Sequence, residues 1–509
     1  MNIFSRLVPS SLFRTALPVL LAALAAVSCS KDDLGGDDDP GSTPSGPGGI
    51  PAEKACALKS FSFTPAANPG LSQNCTARLL DETRYVTVPL DVPLTALKAT
   101  FQVSDGATAE IDGQPVVSGV TPRDYSRLVR LKVVSKDKSN YAHYVINVQN
   151  GIESIDRLVY NFMEKYDIPG ISVSVAYREK LVYARGYGYA DKNAYERLEP
   201  HYMLRLASCS KPFASMCIMR LLDEGKLRLD DRPFALGGVL YERYPDHNAN
   251  FENMTIRSFL EHTSGINQAA KFDPMFDNSI TTQLSADETI RYVVKNFTSN
   301  YAPGQKYQYS NFGYCVLGRV VEAITGMSYE EYLKTAILEP AGVKNIRVGT
   351  TGLAARLPNE SVYYSQNGTN GYGNNMRRLD SCGGIIASTP DLMKMACALD
   401  GLEGRPDIFP KYILDLMETP SQAYRYYALG WRVNHSLYPG AAYHSGNLAG
   451  TATMWARNYK GDTDCAILCN SRSYLKESGG SFDDALYVLL SRVMAHGEWP
   501  DRDLFPQFD

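Results

Sequence analysis

Three short motifs at wide spacing constrain this chain more than any bulk property does. They are Ser208-Cys209-Ser210-Lys211, Tyr309-Ser310-Asn311 and His444-Ser445-Gly446. They supply a hydroxyl nucleophile, two candidate bases and one edge of an oxyanion hole, a set that suffices for acyl transfer through serine without a Ser-His-Asp triad. The fold must therefore carry segments roughly 100 and 130 residues apart into one cleft.

No single motif is specific. S-x-x-K recurs as Ser135-x-x-Lys138 and Ser473-x-x-Lys476, and Y-x-N recurs as Tyr372-Gly373-Asn374. Context separates the copy at Ser208. An apolar, helix-like stretch follows it through Leu222 and ends at Gly225. Residues i and i+3 share a helix face, so Lys211 can reach Ser208. The apolar residues after Lys211 bury that turn, and burial of an amine favours the neutral form that accepts a proton.

The 509 residues exceed one ordinary domain, and 44% hydrophobic with 21% charged residues is the balance of a globular protein with a sizeable core. Net charge is −4, and loss of Arg6 and Arg14 with a cleaved leader lowers it to −6. Neither value offers nucleic acid a basic surface. The ten cysteines form no paired C-x-x-C clusters, which argues against structural zinc, and the histidines lack metal spacing. No metal or organic cofactor is implied. Cys56 and Cys75 flank a predicted strand and are a candidate disulfide; the other reading is two small buried hydrophobes.

Residues 1–28 read as an export leader: a basic segment with Arg6 and Arg14, then the apolar run Ala16 to Val27, too short to span a bilayer comfortably. Ala26-Val27-Ser28-Cys29 resembles a bacterial lipobox, which implies lipidation of Cys29 and attachment to a membrane by acyl chains. An ordinary cleaved signal is the alternative. Residues 29–50 comprise that cysteine and a Gly, Pro, Ser and Asp-rich tether. Lys31-Asp32-Asp33 resembles a surface-export signal of some Gram-negative lipoproteins; a plain acidic linker is the competing reading. The expected location is the outer membrane, on its periplasmic or cell-surface face.

Residues 51–150 alternate apolar and polar positions between closely spaced turns. Strands are predicted at Leu58 to Thr64, Thr83 to Val88, Ala99 to Val103, Leu128 to Val134 and Tyr144 to Val148, with turns at Ser104-Asp105-Gly106 and Asp112-Gly113. This predicts a small all-β sandwich, similar to the Ig-like modules of many surface lipoproteins. Its expected role is a spacer, with glycan or protein contact as the sharper alternative. Residues 151–509 open with a helical pattern (Ile155, Leu158, Val159, Phe162, Met163) stopped at Ile168-Pro169-Gly170. A hairpin follows, Ile171 to Ala176 with Leu181 to Gly186. Strands are expected again at Tyr427 to Asn434, Thr451 to Ala456 and Ala466 to Asn470, and a closing helix at Phe482 to Met494. The prediction is an α/β domain: an antiparallel sheet flanked by helices, with a mainly helical lobe inserted.

Arg205-Leu206-Ala207-Ser208-Cys209-Ser210-Lys211 resembles the nucleophile segment of the serine β-lactamase and penicillin-binding protein superfamily, in its class C-like branch with D-peptidases and esterases. Further matches span about 355 residues: Gly186-Tyr187-Gly188-Tyr189-Ala190, Leu222-Asp223-Glu224-Gly225-Lys226-Leu227, Glu261-His262-Thr263-Ser264-Gly265, Pro303-Gly304, Gly313-Tyr314, Gly383-Gly384 and Ser388-Thr389. The resemblance implies Ser208 as the acyl-accepting nucleophile, with Lys211 and Tyr309 sharing the proton transfers and their division left open. It implies that Asn311 bonds the substrate amide or holds Lys211. His444, Ser445 and Gly446 become the edge strand, Gly446 leaving room for substrate backbone, and the N–H groups of Ser208 and Asn447 the oxyanion hole. It makes His262 a structural lobe residue. Many β-lactamases have Lys where His444 stands, so carboxylate anchoring is expected to be weaker here. Asn447 often has a Gly counterpart, and its side chain is expected to narrow the site. Tyr363, Tyr364 and residues 367–375 form a polar aromatic loop that either lines the cleft or is merely solvated.

Three readings follow. The first is a lipid-anchored serine hydrolase acting on a peptide amide, such as a D-amino-acid or cell-wall-like peptide, or on an ester. The second is a true class C-like β-lactamase. The third is a non-catalytic surface binding lipoprotein, which retention of Ser208, Lys211 and Tyr309 disfavours. Lack of a G-x-S-x-G elbow disfavours an α/β-hydrolase.

Overall fold

The computed structural model describes residues 52–266, 274–276, 284–438, 440–458, 461–475 and 481–509. The leader over 1–28, Cys29, the tether to residue 50, Pro51 and Lys476 lie outside them. Among the described residues no helix is long and apolar enough to cross a membrane. The chain divides into two compact units. One runs to Thr87 and over Asp91–Gln149; the other comprises Val88–Leu90 and Asn150–Asp509.

The first unit is built from strands whose alternate residues are buried. Leu58–Phe63 pairs antiparallel with Leu97–Val103 at the centre of a four-stranded sheet, with Cys75–Thr76 and Pro122–Arg123 outside. A six-stranded sheet runs Arg78–Leu80, Thr83–Pro89, Tyr141–Gly151, Val129–Val134, Thr108–Ile111, Gln114–Val116. Asp112 and Gly113 both take positive φ, at 51° and 72°, as a two-residue hairpin turn of the primed type requires. Phe61, Phe63, Phe101 and Tyr125 bury their rings together, four contacts of 5.0 to 6.4 Å between centroids. No disulfide joins Cys56 to Cys75. Strand register sets Cys75 opposite Phe63, seven positions from Cys56, roughly 20 Å along an extended chain, far beyond the Cα separation a disulfide spans. Both are buried, as small apolar residues.

The second unit opens with α1 (Glu153–Tyr166), whose Ile155, Val159, Phe162 and Met163 are buried as the periodicity predicts. It ends one residue earlier than Ile168-Pro169-Gly170 suggests: Asp167 turns left-handed (φ 51°) and its N–H caps Met163 O. Then come β1 (Gly170–Tyr177), β2 (Lys180–Asp191), β3 (Glu196–Arg197) and, after the helical lobe, β4 (Ala442–Leu448), β5 (Thr451–Arg457) and β6 (Thr463–Cys469). Their order is β3-β2-β1-β6-β5-β4, antiparallel throughout, so β4 is an edge. The β1–β2 hairpin turns on Arg178 and Glu179, both at positive φ. Four further helices matter for the site: α2 (Lys211–Asp223), α3 (Asn311–Thr325), α4 (Thr389–Cys397) and α5 (Phe482–Met494), the last where the sequence predicts it. Tyr427 to Asn434 is not a strand. Gly430 sits at φ 87°, and only isolated bridges, Tyr427 to Arg432 and Arg432 to Tyr443, remain of the expected pairing. A left-handed glycine reverses the chain where a strand must continue.

Candidate active site

Ser208 lies on a 3-10 turn, Ala207–Ser210, that leads directly into α2, with Lys211 as its first residue. Three anchors hold that turn. Leu206 N–H donates to Ile385 O at 2.8 Å, Ile385 N–H donates to Ser210 Oγ at 3.1 Å, and the Cys209 thiol meets His444 O at 3.1 Å. The residues around Ser208 in the motif are thus spent on fixing it. Ala207 itself is left-handed, φ 48°, a conformation that costs about 1–2 kcal/mol in a non-glycine residue and that sets Ser208, half-buried, at the head of the helix.

Tyr309 precedes α3. Ser310 is the N-cap of that helix and accepts from Gly313 N–H at 3.1 Å, so the middle residue of Tyr-Ser-Asn serves as a cap. The three catalytic candidates converge. Lys211 Nζ stands 3.2 Å from Ser208 Oγ, 2.6 Å from Asn311 Oδ1 and 2.7 Å from Cys382 O. It is fully buried and 4.8 Å from the Tyr309 ring centroid. The Tyr309 phenol hydrogen-bonds Ser208. Burial pushes it well above the usual phenol range, while Ser208 and the Arg432 charge pull the other way. Tyr309 is therefore a neutral phenol near pH 7, able to give a proton.

Lys211 is tetrahedral at nitrogen. In the amine form its two protons serve the two short contacts, Asn311 Oδ1 and Cys382 O, and the lone pair points along the longest, to Ser208 Oγ. Asn311 thus holds Lys211, one of the two roles expected for it. The other copies of the motifs are elsewhere. Ser135, buried at the end of its strand, bonds Asp137, and Tyr372 packs on Tyr363 and on the buried Arg205. The two ends of that aromatic loop pack on protein, where Arg205 stacks 4.1 Å from the Tyr363 ring and donates to Gly371 O, while residues 367–370 are exposed.

On β4, burial alternates. His444, Gly446 and Leu448 are buried; Ser445 is half-buried and Asn447 exposed. His444 therefore points inward. Burial, followed by the Arg432 and Lys211 charges, holds its imidazole well below the usual range, hence neutral. Gly446 has a reason other than the expected one. An added Cβ would lie 2.1 Å from Leu206 O and 2.2 Å from Thr453 Oγ1, so glycine here lets β4 close on the Ser208 turn and does not simply make room for substrate. Ser445 Oγ bonds Tyr487 Oη at 3.2 Å.

One residue of the cleft escaped the sequence reading. Arg432, half-buried, lies 5.9 Å from the Tyr309 ring centroid and 6.0 Å from that of Tyr427. Tyr307, Tyr487, Tyr427 and Tyr309 are its electrostatic neighbours. Among the described residues no carboxylate pairs with it, and its Nε is buried without a hydrogen bond. It stands twelve residues before His444, inside a run read as strand, where residue type alone marks nothing. The one described group of ligand-type side chains close enough for an ion, Cys397, Asp400 and Asp464, all within 4.8 Å, includes none of these residues. Burial pushes both of its carboxyls up to about 7.

The profile of the Beta-lactamase family matches residues 155–485. The chain belongs to that family. Among relatives, Protein flp of Staphylococcus aureus (strain NCTC 8325 / PS 47) is 28% identical over 188 residues, 37% of this chain and 36% of the relative. Penicillin-binding protein 4* of Bacillus subtilis (strain 168) is 30% identical over 203 residues, 39% and 42%. Both matches span less than half of the relative's length. Among solved structures, the octameric penicillin-binding protein homologue from Pyrococcus abyssi shares 23% identity at a TM-score of 0.55, covering 68% of this chain and 79% of its own. The D-amino acid amidase from Ochrobactrum anthropi SV3 shares 21% at 0.53, covering 67% and 99%. At these identities the likeness is one of fold.

Proposed function

We propose that this beta-lactamase-family protein is a serine hydrolase that forms an acyl-enzyme on Ser208 and cleaves a peptide amide next to a free carboxylate, a D-amino-acid or cell-wall-like peptide. The convergence of Ser208, Lys211 and Tyr309 carries the reading. Lys211 takes the Ser208 proton as Oγ attacks the carbonyl carbon. The N–H groups of Ser208 and Asn447 receive the oxyanion. Tyr309, a neutral phenol, protonates the departing amine and is restored by Lys211. Water then repeats the sequence in reverse and frees the acid. Ser445 and the β4 edge take the substrate backbone.

Arg432 supports the carboxylate. An arginine facing no acid in a cleft of phenols is matched by a substrate carboxylate, which it can bind through two parallel hydrogen bonds. The expectation of weak anchoring rested on His444, and Arg432 supplies the cation that His444 does not. Lipidation of Cys29, export to the outer membrane and an Ig-like spacer over 51–150 belong to this proposal. The leader pattern supports the first two, and the two alternating sheets the third. A second reading, a class C-like β-lactamase, draws on the same cation.

Intact-mass labelling of wild type and Ser208→Ala tests the proposal. One fluorophosphonate adduct on wild type and none on the variant is expected; labelling that survives the substitution overturns it. A penicillin adduct that persists for hours marks the peptidase branch, rapid loss of it the β-lactamase branch, and no adduct the esterase branch.

A further inference from the structure

Tyr427 has no part in the steps above, yet it is fully buried between two of their elements. Its phenol oxygen lies 3.0 Å from His262 Nε2 and 3.1 Å from His444 Nε2. The other nitrogen of each imidazole meets a main-chain group of fixed polarity. His262 Nδ1 is 3.0 Å from the amide N of Ser310; His444 Nδ1 is 2.8 Å from the carbonyl O of Ser445. An amide N–H only donates and a carbonyl only accepts. His262 therefore carries its proton on Nε2, and His444 on Nδ1.

The remaining bonds follow. His262 Nε2–H donates to Tyr427 Oη, and the Tyr427 hydroxyl donates to His444 Nε2. Tyr314 also adjoins Tyr427, but its own hydroxyl is given to Leu260 O at 2.7 Å. It offers only a phenol lone pair, a poorer acceptor than an imidazole nitrogen. The run Ser310, His262, Tyr427, His444, Ser445 thus reads in one direction from the cap of α3 to the edge strand. The Tyr309 ring rests on the His262 ring, 4.2 Å between centroids, so the first imidazole also seats the phenol.

We propose that Tyr427 is a positioning residue that bridges His262 and His444, which Ser310 and Ser445 hold in opposite neutral tautomers, and so locks the Tyr309 segment to β4 without adding charge. The proposal rests on the reading of Tyr309 and β4 as proton-transfer and substrate elements. The groups facing His262 are Lys211, Arg432 and His444, with the rings of Tyr307, Tyr309, Tyr314 and Tyr427; those facing His444 are Lys211 and Arg432, with the Tyr309 and Tyr427 rings. A second proton on His262 would set Nδ1–H against the Ser310 N–H; one on His444 would set Nε2–H against the Tyr427 hydroxyl proton. Burial, Lys211 and Arg432 oppose either event. The strand stays uncharged where many relatives place a lysine, and the substrate anion is left to Arg432.

Nitrogen-15 spectra of the imidazoles in the full-length protein, assigned with His262→Gln and His444→Gln, test this directly. His262 is expected as Nε2–H and His444 as Nδ1–H, both unchanged from about pH 5.5 to about pH 8, and both shifted in Tyr427→Phe. The variant should lose about 10- to 100-fold in kcat with KM within about threefold. Tyr244→Phe, which removes a lobe hydroxyl bonded to Asp287, is the control for lost stability alone and should keep its kcat. Identical tautomers at His262 and His444, protonation of either above about pH 5.5, or a folded Tyr427→Phe with unchanged kcat each overturn the proposal. If the variant fails to fold, the wild-type tautomers still decide. If Ser208 takes no label while the tautomers stand as described, the functional reading fails and the hydrogen-bond assignment survives.

Discussion

Two basic side chains lie beside Tyr309, and their surroundings differ. Lys211, on the floor of the cleft, is fully buried and has three oxygen neighbours within 3.2 Å. Arg432, on the wall, is half-buried among phenols, with no carboxylate partner among the described residues. A group whose partners are all supplied by the protein is built to be held in one geometry. A group whose partner is missing is built to receive one. The difference separates chemistry from recognition within a few ångströms, and it can be tested kinetically.

The largest effect is expected on the floor. Lys211→Met should lower kcat by about 10³-fold or more while substrate affinity, measured on a Ser208→Ala background, stays within threefold. A loss confined to KM would erase the distinction. On the wall, Arg432→Met should raise KM about 10- to 100-fold for a substrate ending in a free carboxylate, the equivalent of about 1.5–3 kcal/mol for a charged hydrogen bond. It should leave the carboxamide-capped analogue nearly unchanged. Equal losses on both substrates would mean that Arg432 supports structure, not anion binding.

Next is a pH effect on folding. His262 and His444 are held below their unfolded values by burial, with the Lys211 and Arg432 charges adding to it. The unfolded chain takes up their protons below about pH 6.5 and the folded one does not. Their contribution to stability is therefore complete above that pH and is lost as pH falls, at up to about 1.4 kcal/mol per pH unit for each histidine. Denaturant melts at pH 7.5 and 5.5 should show the loss, and His444→Gln should reduce it. A flat profile would mean that the floor admits the proton. The smallest effect is expected from Asn447→Gly. Its side chain is exposed on the edge strand, and removing it should alter kcat/KM for bulky substrates by about threefold or less.

Much of this arrangement was readable beforehand, and the unread parts share a cause. Helix α1, the β1–β2 hairpin, α5 and the five longest strands of the first unit follow local periodicity, and each lies within a few residues of its expected place, whereas the short strands such as Arg78–Leu80 and Gln114–Val116 were not read. Ser208, Lys211, Tyr309 and Asn311 were legible because their types and order resemble a known set. Other parts depended on the tertiary fold. Tyr427 to Asn434 has the apolar content of a strand, and Gly430 reverses it into a turn. Gly446 looked like room for substrate, and its tight neighbours prove to be Thr453, opposite it in the β4–β5 hairpin, and Leu206, from a segment distant in sequence. Arg432 and Tyr427 matter through what surrounds them, and a linear pattern does not record surroundings.

The acceptor at Cys382 carries a consequence for mutational work. Lys211 bonds the main-chain oxygen there, not the thiol, so exchanging the side chain for serine or alanine leaves that ligand in place. A scan by residue type would mark position 382 as dispensable. The ligand is encoded instead by the path of the peptide, by Leu379 O gathering the amides of Cys382, Gly383 and Gly384. Lesions at this corner should therefore come from changes that bend the chain, proline at Gly383 or bulk at Gly384.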